Sequence, residues 1–145
     1  MKTFLPIACL LAATLTNFAA AQSTQPAPAR LAPAPDCATG TTQSRMNECA
    51  YEDFLAATAD YAASYKTLSD RMSTAQKGQF QRTQKLWIQY RTAACNFESS
   101  GVAGGTARPM VKSQCDARMT RARTAELTAL ADCKEGELSC ARFKK

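Results

Sequence analysis

The sequence predicts an all-α domain, a three-helix antiparallel bundle with a long first helix, stapled by disulfides. Three observations carry that expectation. Apolar residues recur every three or four positions through three long segments, the mark of helices with one buried face. No segment shows the strict apolar–polar alternation of a half-buried strand, and Val and Ile are scarce. Seven cysteines, but no histidine, stand in a chain of 145 residues. Six of those cysteines lie beyond the first 21 residues, an even set of the kind that pairs into three bridges.

The chain opens on Met1-Lys2-Thr3, continues through an apolar run from Phe4 to about Leu15, and reaches Ala19-Ala20-Ala21 before Gln22. A basic start, a short apolar run and a small-residue cleavage site together predict a secretory signal over residues 1–21. The run is shorter than the roughly 20 residues a bilayer span needs. Cys9 sits inside it, and Pro6-Ile7-Ala8 lacks the leucine that opens a lipobox, which speaks against lipidation. Residues 22–36 read QSTQPAPARLAPAPD. Proline lacks an amide donor and biases its predecessor to extended geometry, so a disordered Pro/Ala-rich leader is expected there. Residues 37–145 are left as a single helical, disulfide-bonded domain, expected in the periplasm or secreted.

The first helix is predicted from about Thr42 to Met72, with Met46, Ala50, Phe54, Ala57, Tyr61, Tyr65, Leu68 and Met72 on one face. Ser73-Thr74-Ala75-Gln76 then has capping-box spacing, so a second helix restarts at once and runs to about Phe97. Its stripe is Phe80, Gln84, Trp87, Arg91 and Cys95. Gly78 weakens its first turns by about 1 kcal/mol relative to alanine. Glu98 to Arg108 (ESSGVAGGTAR) has no periodicity and reads as a loop. Pro109 suits the first turn of a third helix. There Val111, Cys115, Met119, Ala122, Leu127 and Leu130 are expected to face inward. That helix ends near Cys133, with Gly136 as its stop.

The tight turn at Ser73 sends the second helix back antiparallel to the first. Cys49, Cys95 and Cys115 then share one end of the bundle, and Cys37 leads into it. Local closure favours Cys37–Cys49, Cys95–Cys115 and Cys133–Cys140, because short loops close at lower entropic cost. Cys49–Cys95 with Cys37–Cys115 is also geometrically allowed. Export, an even count and the lack of CxxC spacing argue against catalytic or metal-binding cysteines. Without histidine there is no Ser-His or Cys-His pair and no imidazole-ligated metal. No catalytic residue, metal site or cofactor is therefore expected.

Several residues, taken in order, form a recognisable set. They are Cys37, Met46-Asn47-x-Cys49-Ala50, Ala59-Asp60, Tyr65, Gln84-x-x-Trp87-Ile88, Tyr90-Arg91 and Cys95. Gly104-Gly105, Cys115 and Thr120-x-x-Arg123-x-x-x-Leu127 complete it. The set resembles the lysozyme-inhibitor LprI-like N-terminal domain family of small exported bacterial helical proteins, from about Cys37 to Leu130. The resemblance implies a periplasmic or envelope-associated binding protein, not an enzyme, with a lysozyme-class cell-wall hydrolase as the protein partner. Two features depart from the family pattern. Arg91-Thr92 stands in place of a common Arg-Asp, and Cys133 and Cys140 add to the usual four cysteines.

Asn47, Asp60, Gln84, Arg91, Thr120 and Arg123 are polar residues on or beside the inward stripes. Antiparallel pairing across the first turn puts Asp60 within about a helical turn of Arg91, so an Asp60–Arg91 pair within a structural polar network is expected. No second carboxylate is placed to complete a glycosidase pair. The long loop is the candidate partner-binding element, through Ser99, Ser100, Gly101, Gly104, Gly105 and Thr106, since glycine lets a backbone approach a partner closely. Once Lys2 is removed with the signal, 17 basic residues face 12 acidic ones, a net charge of +5. Arg108, Lys112, Arg118, Arg121 and Arg123 crowd the third helix, which makes an envelope-surface contact the alternative to a hydrolase. An immunity protein against a delivered periplasmic toxin is a further alternative on the same scaffold. The exported compartment argues against nucleic acid.

Overall fold

A computed structural model describes Cys37, Thr39, residues 42–134 and 136–138, Cys140 and Ala141. The predicted signal and the Pro/Ala-rich leader lie outside these residues. Three helices follow in order: α1 over Gln43–Asp70, α2 over Thr74–Glu98 and α3 over Arg108–Ala131. Thr42 caps α1, its hydroxyl accepting from the Arg45 amide at 3.3 Å. The capping box opening α2 is formed in both directions. The Gln76 amide donates to Ser73 Oγ at 3.3 Å, and the Ser73 amide donates to Gln76 Oε1 at 2.9 Å. Pro109 lies in the first turn of α3.

The inward columns of α1 and α2 are those the spacing predicts. Every member of both stripes is buried or half-buried. Between these two helices the ring pairs Tyr61–Trp87 (5.4 Å between centroids) and Tyr65–Phe80 (5.0 Å) show the expected antiparallel register. The third column differs from expectation. Ala122 is exposed, and the buried residues of α3 are Cys115, Asp116, Ala117, Thr120, Thr124 and Leu127. The physical reason lies in the closeness of α1 and α3, which run parallel and make the most intimate contact in the bundle. Ala50 and Ala57 are buried on α1, and Ala117, Thr120 and Thr124 on α3, so neither backbone is held off by bulk. The threonines remain polar without penalty. Thr120 donates to the Asp116 carbonyl at 2.6 Å and Thr124 to the Thr120 carbonyl at 3.0 Å.

At the end of the bundle where α1 turns into α2, Leu68, Met72, Phe80 and Leu127 form the apolar core, with Tyr61, Tyr65, Leu130 and Ala131 packed on it. Each such buried side chain contributes on the order of 1.5–3 kcal/mol. Arg71, at the turn, donates to the Ala131 carbonyl and closes this end on α3. The opposite end is closed by two cystines, Cys37–Cys49 and Cys95–Cys115. Cys37–Cys49, Cys95–Cys115 and Cys133–Cys140 are bonded, the pairing that local closure favours. The last of them closes the tail beyond α3, where Gly136 takes φ +98°.

Candidate functional site

The connection from α2 to α3 is built as a succession of turns. It begins as a 3-10 segment, Ser99–Val102. Ser99 is fully buried, and its hydroxyl donates to the Asn96 carbonyl at 3.2 Å. The Ala103 amide then donates to the Ser100 carbonyl, Gly105 to Val102 and Arg108 to Gly105, at 3.0–3.3 Å. Gly104 has φ +78°, the left-handed region where a side chain is strained. A Cβ on Gly105 would meet the Val102 carbonyl oxygen at 3.2 Å. Asn47 reaches across from α1 to donate to the Thr106 carbonyl at 3.0 Å. The Cys95–Cys115 bridge closes the base of the loop. Of the six loop residues singled out by sequence, Ser100, Gly101, Gly104, Gly105 and Thr106 are exposed, and Ser99 instead anchors the loop from within.

Behind the loop lies the polar network. Arg91 does not pair with Asp60. Its Nε lies 3.4 Å from Asp116 Oδ1, and its Nη1 donates to Thr120 Oγ1 at 2.9 Å. The guanidinium also covers the Phe54 and Trp87 rings, at 5.0 and 5.2 Å from their centroids. Lys112 completes a triad on Asp116 at 2.6 Å. Asp60 is exposed on α1. The register behind the expected pair holds, but Asp60 lies off the face that looks at α2. Its charge acts instead on Arg121 of α3, whose pKa is raised chiefly by its hydrogen bond to Asp53 and further by Asp60. Gln84 is buried, and its Oε1 accepts from Arg123 Nε at 3.0 Å and from the Tyr61 hydroxyl at 3.3 Å. Gln84, Arg91, Thr120 and Arg123 thus share the interior, Asn47 ties the loop, and Asp60 stands apart.

Asp116 escaped the sequence reading. The available signal was a polar column at four-residue spacing, Lys112, Asp116, Thr120 and Thr124, which apolar periodicity passes over. Also unforeseen is an open groove of about 500 Å³ between α1 and α2, lined among others by Tyr61, Tyr65, Gln81, Gln84, Lys85 and Ile88. It exists because large rings hold these two helices apart while the α1–α3 seam is small. Partial burial raises the Tyr61 pKa, and the Arg123 charge works against that rise.

Asp116 is committed to two cations. The sulfurs grouped with Glu52 and with Glu137 are those of disulfides. The basic residues of α3 are largely engaged as well: Arg118 with Glu98, Arg121 with Asp53, and Arg123 with Glu126.

The described residues form a small helical bundle, cross-linked by cystines and presenting one tethered glycine turn. Comparison with known proteins supplies a family. Residues 35–127 match the family described as "Lysozyme inhibitor LprI", and the chain belongs to that family. It is also similar to "Uncharacterized protein R02472" of Rhizobium meliloti (strain 1021), 33% identical over 116 residues that cover 71% of this chain and 84% of the relative. No solved structure matches.

Proposed function

We propose that this protein is an exported, non-catalytic inhibitor that engages a lysozyme-class cell-wall hydrolase through the glycine loop. The observation that carries the reading is the construction of that loop. Exposed main chain around Gly101 and Gly104 is held by a cystine at its base and by Asn47 from α1. A backbone ridge ordered before contact loses little entropy on entering a cleft. Membership of a family described as lysozyme inhibitors supports the choice of partner. The cystine framework supports an oxidising compartment, periplasmic or extracellular. A net positive charge slows encounter with a cationic lysozyme, so contact at the loop must provide the affinity.

The test is lysozyme-driven clearing of a peptidoglycan suspension with the oxidised protein added. Inhibition saturating at a fixed molar ratio is expected. Replacing Gly104 and Gly105 by Ala should weaken inhibition about tenfold and cost about 2–3 kcal/mol of stability, so inhibition is read where melting shows the variant folded. Absence of inhibition against every lysozyme type tried would overturn the partner. Full inhibition by the folded loop variant would move the contact elsewhere.

A further inference from the structure

The outward side of α2 carries an apolar column that nothing in the fold uses. Leu86, Tyr90 and Phe97 are 65%, 65% and 81% exposed, and Ala93 between them is exposed too. Their spacing of four, three and four residues puts all four on one side of the helix. Arg82 stands beside that column and Lys85 flanks it at the lip of the α1–α2 groove; both are exposed, and neither has an ion pair among the described residues. The face carries no negative charge. Glu98 is the lone acid of α2, and Arg118 holds it at 2.6 Å.

We propose that this face of α2 seats the protein on an anionic phospholipid surface. The face is one convex helix without a concavity, so what covers it must conform to it, as a lipid interface does. Four side chains along about 17 Å, from Leu86 to Phe97 at helical rise, fall far short of the roughly 20–30 residues a side of a stable protein interface. Leu and Phe suit the acyl boundary, the Tyr hydroxyl suits the headgroup level, and Arg and Lys pair with phosphates. Charge complementarity selects anionic over zwitterionic lipid. The arginines of α3, which the sequence offered for this role, are largely engaged with carboxylates. Docking by α2 differs from hydrolase binding and does not depend on it.

The experiment is flotation of the oxidised protein, recovered from the exported fraction, with vesicles of phosphatidylethanolamine and phosphatidylglycerol, and separately with phosphatidylcholine vesicles. Binding to the anionic vesicles alone, weakened by added salt, is expected. Leu86→Ser with Phe97→Ser, and separately Arg82→Glu with Lys85→Glu, should each reduce it about tenfold. Both variants alter only exposed side chains, and an unchanged melting temperature will confirm that they fold. No binding to anionic vesicles, equal binding to phosphatidylcholine, or full binding by the folded Leu86/Phe97 variant each overturns the proposal. Lysozyme inhibition by the same variants reads the loop separately, so either proposal can fail alone.

Discussion

The two ends of the bundle are closed by different physics. At the end where α1 turns into α2, Leu68, Met72, Phe80 and Leu127 exclude water by packing. At the other end, Cys95–Cys115, the Asn47–Thr106 tie and the Arg91–Asp116–Lys112 triad do the closing. Packing is non-directional and tolerates approximate shapes. Ion pairs and cystines are directional and fix where each group must sit. This contrast accounts for the position of the candidate loop at the second end. A binding surface needs exposed backbone held in one geometry, and apolar packing cannot hold what it does not bury.

The largest effects expected are at the buried acid and in the apolar core. Asp116→Ala leaves the largely buried Arg91 guanidinium without its carboxylate and should cost about 3 kcal/mol in urea unfolding, whereas exposed Asp60→Ala should stay within about 0.5 kcal/mol. Leu127→Ala at the apolar end should cost about 3 kcal/mol. Residues 116 and 127 lie about 16 Å apart along α3, so a double variant should be additive to within about 0.5 kcal/mol. Strong coupling between them would erase the distinction between the two ends.

Of comparable size is the effect of the cystine. Replacing Cys95 and Cys115 together by Ala should cost about 3 kcal/mol and raise amide exchange in residues 99–107. Exchange near Leu68 and Leu127 should change only through the loss in global stability. Exchange rising equally at both ends would count against a separate anchoring role for the bridge.

The smallest effect expected is a titration. Tyr61 sits between the ends, with its pKa raised by burial against the opposing charge of Arg123. A raised folded pKa favours the neutral phenol. Its contribution to stability is therefore complete below the ordinary tyrosine value near 10 and is lost as pH rises through the folded value. Ultraviolet titration should show one tyrosine ionising after the others, and Tyr61→Phe should abolish that late component. A single transition at the ordinary value would contradict the burial assigned to this ring.

The apolar end was legible from spacing alone, because its residues are the ones periodicity counts. Helix limits were legible from chemistry at single positions, Ser73 as a cap and Pro109 as a first-turn residue, whereas the Thr42 cap is a finding of the structure. The polar end was read in part. Gln84, Arg91, Thr120 and Arg123 fell on or beside inward stripes, but Arg91 was matched to Asp60 by register. Register says how far along a helix two residues lie, and pairing also requires that they share a face. Asp116 was passed over because a charged residue at an inward position breaks the pattern being sought. The α1–α2 groove was out of reach for another reason. Spacing shows which side of a helix faces in, and says nothing about how far apart ring-sized side chains will hold two helices.

Among the six cysteines beyond residue 21, the three bridges join neighbours in chain order, first to second, third to fourth, fifth to sixth. If the chain is exported amino end first, as proposed above, each pair can be oxidised as it emerges. Each thiol meets its native partner before any later one arrives, and no crossed linkage has to be undone. Such a protein should mature with a simple thiol oxidase and should not require a disulfide isomerase.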